Sequence, residues 1–308
     1  MTRPPATATE PLSREELRLD DFWEHLQPYE IVRAWTQPRS GARCAIVRSR
    51  AISGDVFVKQ TDDSGERPAW PEVHFATLLQ VTQATPEGEP VVPPPVAWGN
   101  GPTYLAYHLV DGELVHDLLR DHGRLDADDR ELVRECARTL ARLHSIDTSE
   151  VRTFGEVSAA AGGRPGSSVL SVKDLGPWNC VASDDGPVVL IDTPVFQLAP
   201  PAHDVGRMTV RLARATIGPA GGLRVGFRTT ADVVELFATT YRDSVPAAVR
   251  PGSGLTVLRV VLRELAIASL RDVRQGRWRA ITTAIGMVVG AVWATIRART
   301  GRHRRAVA

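Results

Sequence analysis

The sequence predicts an α+β fold in two lobes, and three observations carry that prediction. Residues 29–110 read as short β segments broken by turns, residues from 111 onward read mainly as amphipathic helices, and one further hairpin interrupts the helical part. The chain has 308 residues, enough to bury a sizeable core as one large or two modest units. Apolar residues make up 43% and charged residues 24%, which argues against wholesale disorder and against a multi-span transporter. A net charge of +1 disfavours a globally basic nucleic-acid binder, so no nucleic-acid partner is expected. The three cysteines, Cys44, Cys136 and Cys180, lack Cys-x-x-Cys spacing, which excludes a readable disulfide framework or cysteine-rich zinc site. With no apolar core of signal-peptide type in Met1–Glu10, the expected setting is cytoplasmic.

Three parts follow: an N-terminal extension over 1–28, an N-lobe over 29–110 and a C-lobe over 111–308. In the N-lobe, Glu30 to Thr36, Ala42 to Ser49 and Asp55 to Lys59 are predicted strands. A helix is expected over 67–81, where Pro68 and Pro71 suit only a first turn. Val96 to Trp98 and Tyr104 to Val110 are the next strands, separated by the turn signal Gly99-Asn100-Gly101-Pro102. Asp126 then reads as an N-cap, and Leu132, Val133, Cys136, Ala137, Leu140, Leu143 and His144 form one helical stripe. Residues 157–168 read as a loop rich in Gly, Ala, Pro and Ser. Cys180 to Ala182 and Val188 to Ile191 flank a turn and make a hairpin. Helices are expected at about 204–214, 230–243, 255–274 and 279–298.

Chemistry concentrates in Val172-Lys173-Asp174-Leu175-Gly176-Pro177-Trp178-Asn179 and, after the hairpin, Leu190-Ile191-Asp192. Singly, an aspartate and an asparagine five residues apart are common loop and cap residues. With a second aspartate at the end of a short hairpin they become the groups that phosphoryl transfer from a nucleotide requires. One carboxylate orients the acceptor hydroxyl and takes its proton, while an amide oxygen and the other carboxylate suit Mg2+, a hard cation.

These residues resemble those of the kinase-like phosphotransferases, the superfamily of aminoglycoside phosphotransferases, choline kinases and bacterial sugar or lipopolysaccharide kinases. Asp174, Asn179 and Asp192 fall on that family's His-Gly-Asp-x-x-x-x-Asn loop and its metal-binding aspartate. The resemblance implies a bilobal protein-kinase-like fold, with an N-terminal antiparallel sheet lobe and a larger, mainly helical C-terminal lobe. It further implies that Lys59, ending Val56-Phe57-Val58-Lys59, grips the phosphates of ATP and that Glu72 pairs with it, Glu66 being an alternative. Backbone groups from His108 to Val110 would hold adenine. Leu140-Ala141-Arg142-Leu143-His144 and Pro201-Ala202-His203-Asp204 resemble two further family segments, with His144 and Asp204 in structural roles. The matches run in family order from about residue 30 to 210. ATP, Mg2+ and a hydroxyl-bearing acceptor are the partners so implied.

The chain also departs from the pattern. Val172-Lys173 replaces His-Gly, so the usual brace of the loop is missing. Lys173 either neutralises charge on the transferring phosphoryl group or makes a surface ion pair. The phosphate-covering loop holds only Gly41, and Thr193-Pro194 follows Asp192. These departures leave a second reading open, a nucleotide-binding pseudokinase acting as regulator or scaffold. The acceptor reads as neutral or anionic, because residues 205–308 hold more arginine than aspartate plus glutamate. Finally, Ala280 to Ile296 is a 17-residue run without a charge, flanked by arginines over 278–305. At 1.5 Å per residue it covers about 25 Å, slightly short of the roughly 30 Å hydrocarbon core. Its small residues Thr282, Gly286, Gly290, Ala294 and Ala298 fit a helix buried in the C-lobe or one associated with a membrane, and both readings stay open.

Overall fold

The computed structural model describes residues 28–37, 42–60, 70–86, 89–100, 103–149, 168–183, 186–193, 196–218, 221–251, 254–277 and 279–307. Residues 1–27 of the N-terminal extension, Glu66, Gly41 and all but residue 168 of the loop expected at 157–168 lie outside them. Five strands form the N-lobe sheet: β1 (Tyr29–Thr36), β2 (Arg43–Ser49), β3 (Asp55–Gln60), β4 (Pro95–Asn100) and β5 (Thr103–His108). They pair antiparallel in the order β1-β2-β3-β5-β4, with a bulge between Ile31 and Arg33. Along β3 the side chains alternate, so Val56 and Val58 are buried among Ala45, Val47 and Ala106 while Phe57 and Lys59 share the opposite face. On that face Phe57 stacks on Tyr107 with ring centroids 5.1 Å apart. Helix α1 (Trp70–Ala84) lies against β4 and β5 and buries Leu78 and Val81. Pro71 sits in its first turn, where a missing N–H costs nothing.

The chain leaves the sheet through Asp111 and Gly112. Gly112 has φ +141°, and a methyl group there would overlap the Ala182 carbonyl oxygen, so only glycine lets the two segments pass. Beyond it β6 (Glu113–Leu114) adds to the hairpin of β8 (Cys180–Ala182) and β9 (Val188–Leu190), and α2 (Val115–Leu119) follows. Helix α3 (Ala127–His144) starts in a reciprocal cap: the Asp129 N–H donates to Asp126 Oδ1 at 2.9 Å, and the Asp126 N–H donates to Asp129 Oδ2 at 3.2 Å. The buried Thr139 hydroxyl donates to the Val188 carbonyl at 2.7 Å and fixes the hairpin on α3. Strand β7 (Val169–Val172) pairs with β10 (Phe196–Ala199), a short ladder that brackets the catalytic-loop candidate and its hairpin.

Four long helices complete the C-lobe: α4 (Pro201–Ile217), α5 (Leu223–Ser244), α6 (Gly254–Arg274) and α7 (Arg279–Val307). Helix α5 packs on α3, α4 and α7, and α6 packs on α4 and α7. The contact between α5 and α7 is made at the backbone. A methyl group on Gly286 would overlap the Leu223 carbonyl oxygen, and one on Gly290 would overlap that of Phe227. On the facing helix, a methyl on Gly226 would lie 2.6 Å from the Thr283 carbonyl. Part of the predicted small-residue stripe is therefore a helix–helix seam within the protein. Gly286, Gly290 and Ala294 are buried, whereas Thr282 and Ala298 face outward. The segment Ala280–Ala298 is long and apolar enough to cross a membrane, with a mean hydropathy of 1.5, yet 44% of it is buried against its own protein.

The seam yields a prediction. Gly290→Ala gains up to about 1 kcal/mol in helix propensity. It nevertheless lowers the unfolding free energy by about 1–3 kcal/mol, because the overlapped atom is main chain and cannot rotate away. Gly254→Ala, whose added methyl would meet, among the described residues, only the Thr295 side chain at 3.6 Å, leaves the urea midpoint nearly unchanged.

Candidate active site

The loop after β7 is built from backbone outward. Val172 is buried in the ladder opposite Phe196, and the chain turns at Lys173-Asp174 with both side chains exposed. A short 3-10 turn, Pro177–Asn179, returns it to the hairpin. The Asn179 N–H donates to the Gly176 carbonyl and its side-chain amide N–H to the Asp174 carbonyl, both at 2.9 Å. That second bond engages the amide nitrogen, so the oxygen Oδ1 is the acceptor the side chain has left to offer.

Two arginines from α4 hold the loop from below. Arg207 donates to the Lys173 carbonyl; Arg211 donates to the Leu175 carbonyl and, at 3.0 Å, to Asp174 Oδ1. The Arg211 guanidinium also lies 4.8 Å from the centroid of the Trp178 ring. Asp174 remains 53% exposed, so it is oriented without being covered. Among the described residues the Lys173 side chain makes no ion pair.

Beneath these arginines a buried chain of hydrogen bonds converges on Asp204. His144 Nε2 lies 3.3 Å from Asp204 Oδ2, and His203 Nδ1 lies 3.3 Å from Oδ1. Tyr241 Oη is 2.6 Å from His144 Nδ1, and Arg207 Nη2 is 3.0 Å from His203 Nε2. The partners assign the tautomers. Arginine can only donate, so His203 accepts at Nε2 and donates from Nδ1. His144 donates from Nε2, and the Tyr241 hydroxyl donates to His144 Nδ1. Burial alone would raise the Asp204 carboxyl, but the hydrogen bonds that His144 and His203 donate to it outweigh that and hold the group well below the ordinary carboxylate range. The loop that lacks a histidine at 172 is thus tied through Arg207 and His203 to a buried carboxylate.

The third group comes from the hairpin. The Ile191 N–H donates to the Asn179 carbonyl at 2.8 Å, which sets Asp192 beside Asn179, and the Leu190 N–H donates to the Val91 carbonyl at 2.8 Å. Asp192 adopts φ +47°, a left-handed conformation that aspartate tolerates better than most residues. Its carboxylate makes an ion pair with Lys59 that joins the lobes. Cys44 and His74 are buried around this pair. Burial pushes the Cys44 thiol up to about 12 against the opposing charge of Lys59, and burial with the Lys59 charge pulls His74 down to about 3.

One predicted pairing is absent among the described residues, and the backbone groups expected to hold adenine are narrowed. Glu72 stands exposed on the outer face of α1, and among the described residues no ion pair joins it to Lys59. The helix turns His74, Thr77, Leu78 and Val81 inward, so His74 occupies the cleft side, where it stacks on Phe196 with centroids 5.4 Å apart. In the strand leading to the hinge, the His108 N–H is committed to the Pro94 carbonyl (2.9 Å) and the Leu109 N–H to the Asp55 carbonyl (2.8 Å). These donors are therefore spent within the sheet. Val110 follows as the first residue whose N–H makes no hydrogen bond among the described residues. A cavity of about 280 Å³ lined by Pro94, Val110, Asp111 and Pro187 lies at the turn end of the hairpin, opposite the end that carries Asp192.

No family model matches the chain, and no curated protein matches it by sequence. Among solved structures it is similar to an aminoglycoside phosphotransferase from Alicyclobacillus acidocaldarius, with 15% identity, 97% of this chain and 100% of that one covered, and a TM-score of 0.54. It is also similar to the amicoumacin kinase hAmiN in complex with AMP-PNP, Ca2+ and Ami, with 10% identity, coverage of 82% and 84% and a TM-score of 0.57. For the choline kinase LicA from Streptococcus pneumoniae the figures are 13% identity, 92% and 98%, and 0.51. The fold is that of the kinase-like phosphotransferases.

The buried network has a testable pH signature. Asp204→Asn turns one of the two accepting oxygens into a donor that faces a histidine N–H and costs roughly 1–3 kcal/mol of stability at neutral pH. Because the Asp204 carboxyl is depressed in the folded state, its contribution is full above the ordinary value of 3.8 and is lost only as pH falls through the depressed one. Chemical denaturation across pH should show a constant gap between wild type and variant from pH 7 down to the ordinary carboxylate range, closing only below it.

Proposed function

We propose that the chain transfers the γ-phosphoryl group of ATP to a hydroxyl of a small-molecule, sugar or lipid acceptor. The observation that supports this best is that contacts link Asp174, Asn179, Asp192 and Lys59, which come from three separate elements. Asp174 is held by Arg211 and stays exposed, while Lys59 and Asp192 hold each other. The fold shared with an aminoglycoside phosphotransferase and a choline kinase agrees with the reading.

The residues divide the work as follows. Asp174, exposed and oriented by Arg211, accepts the proton of the acceptor hydroxyl as its oxygen bonds to the γ-phosphorus and the bond from that phosphorus to the β,γ-bridging oxygen breaks, releasing ADP. Lys59 lies in reach of Asp192 across the cleft, so phosphates entering there would take the lysine as counter-charge in place of the aspartate. Oδ1 of Asn179 and the carboxylate of Asp192 are hard oxygen donors that fit Mg2+. When bound, the ion would neutralise phosphate charge. Val110 offers its N–H to the nucleotide base. The braced loop keeps Asp174 at a fixed position, which favours in-line geometry.

Asp174→Asn tests the assignment, since the amide preserves shape and cannot take the proton. Turnover, read as ADP release against a panel of hydroxyl compounds including sugars, amino alcohols and glycerolipids, is expected to fall about 10²–10⁴-fold with nucleotide affinity retained. Unchanged turnover would remove Asp174 as the base.

A further inference from the structure

Helix α7 has two faces of different character. Its inner face is locked to α5 through Gly286 and Gly290, where main chain meets main chain. Its outer face presents Ile285, Val289, Trp293 and Ile296, each about half exposed. Steps of four, four and three residues place them in one stripe, which at 1.5 Å per residue runs about 16 Å along the helix. Isolated apolar side chains on a surface need no explanation, but a continuous stripe on one helix marks a docking face.

Charge identifies what it docks on. Helix α7 contains no aspartate or glutamate. Arg277, which pairs with Asp272, and Arg297, which pairs with Glu235 of α5, flank the stripe in sequence and stay exposed by 62% and 66%. Further arginines follow in sequence at 299, 302, 304 and 305. A second copy seated on this face would bring its own arginines against these, whereas an anionic bilayer complements both the stripe and its ends. The inner face cannot leave α5 without opening the glycine seam, so the helix lies along the surface and does not span. We propose that the outer face of α7 binds anionic phospholipid bilayers, with Ile285, Val289, Trp293 and Ile296 inserted at the acyl boundary and the flanking arginines on lipid phosphates.

The test is co-sedimentation of the full chain with vesicles of phosphatidylcholine alone or mixed with phosphatidylglycerol. Wild type should sediment with the mixed vesicles, much less with phosphatidylcholine alone, and less as salt is raised. Val289→Asp and Trp293→Asp, at exposed positions and checked for unchanged melting, should stay in the supernatant, and Arg297→Gln should weaken partition about fivefold. The proposal is overturned if wild type ignores the mixed vesicles, if both aspartate variants sediment as well as wild type, or if light scattering shows lipid-free dimers that Trp293→Asp turns into monomers.

Discussion

The arrangement of the site depends on one buried carboxylate. Asp204 lies at the start of α4, fully enclosed, and accepts hydrogen bonds from His144 at the end of α3 and from His203 beside it. Tyr241 of α5 completes one arm and Arg207 the other. Three helices are thereby fixed around a single charge, and through the Lys173 carbonyl that charge reaches the residue preceding Asp174. A buried charge with donors on both oxygens tolerates few geometries, so the loop inherits its position from the helical core.

Much of this was legible in the residues, and the misses have physical causes. Capping at Asp126, the hairpin around 180–190 and the strands of the N-lobe follow from local chemistry that acts over a few residues. The linear order Asp174, Asn179, Asp192 is likewise visible, because one loop and one hairpin hold all three. Glu72 was misplaced because the rotational phase of α1 is hard to read: the helix buries His74 and Thr77 beside Leu78 and Val81, so polar residues blur the stripe. The strands β7 and β10 are not legible in the residues because four-residue segments are too short to show a periodicity. Arg207 and Arg211 were also missed, although His203, Arg207 and Arg211 recur every fourth residue and share one face of α4, a signal that could have found them.

The C-lobe serves two surfaces with one stack of helices. Helix α4 carries the loop arginines on one face and packs on α5 and α6, and α5 passes the contact on to α7. The glycines of the α5–α7 seam bring the helices close enough to make α7 part of the core. Its opposite face is then turned outward with its apolar side chains uncovered. The near-neutral total charge conceals this division, since the arginines gathered at the C-terminal end are offset by acidic residues elsewhere.

The central claim is that Asn179, Asp192 and Lys59 together form a metal–nucleotide site around which the loop is built. Calorimetric titration of ATP into the full chain, with Mg2+ and then with the ion chelated, addresses it most directly. The account predicts saturable binding with Mg2+ that chelation, which removes the dication, and Asp192→Asn, which removes one ligand charge, each weaken at least about tenfold. Equal affinity with and without the ion, or in the Asp192→Asn variant, would contradict it.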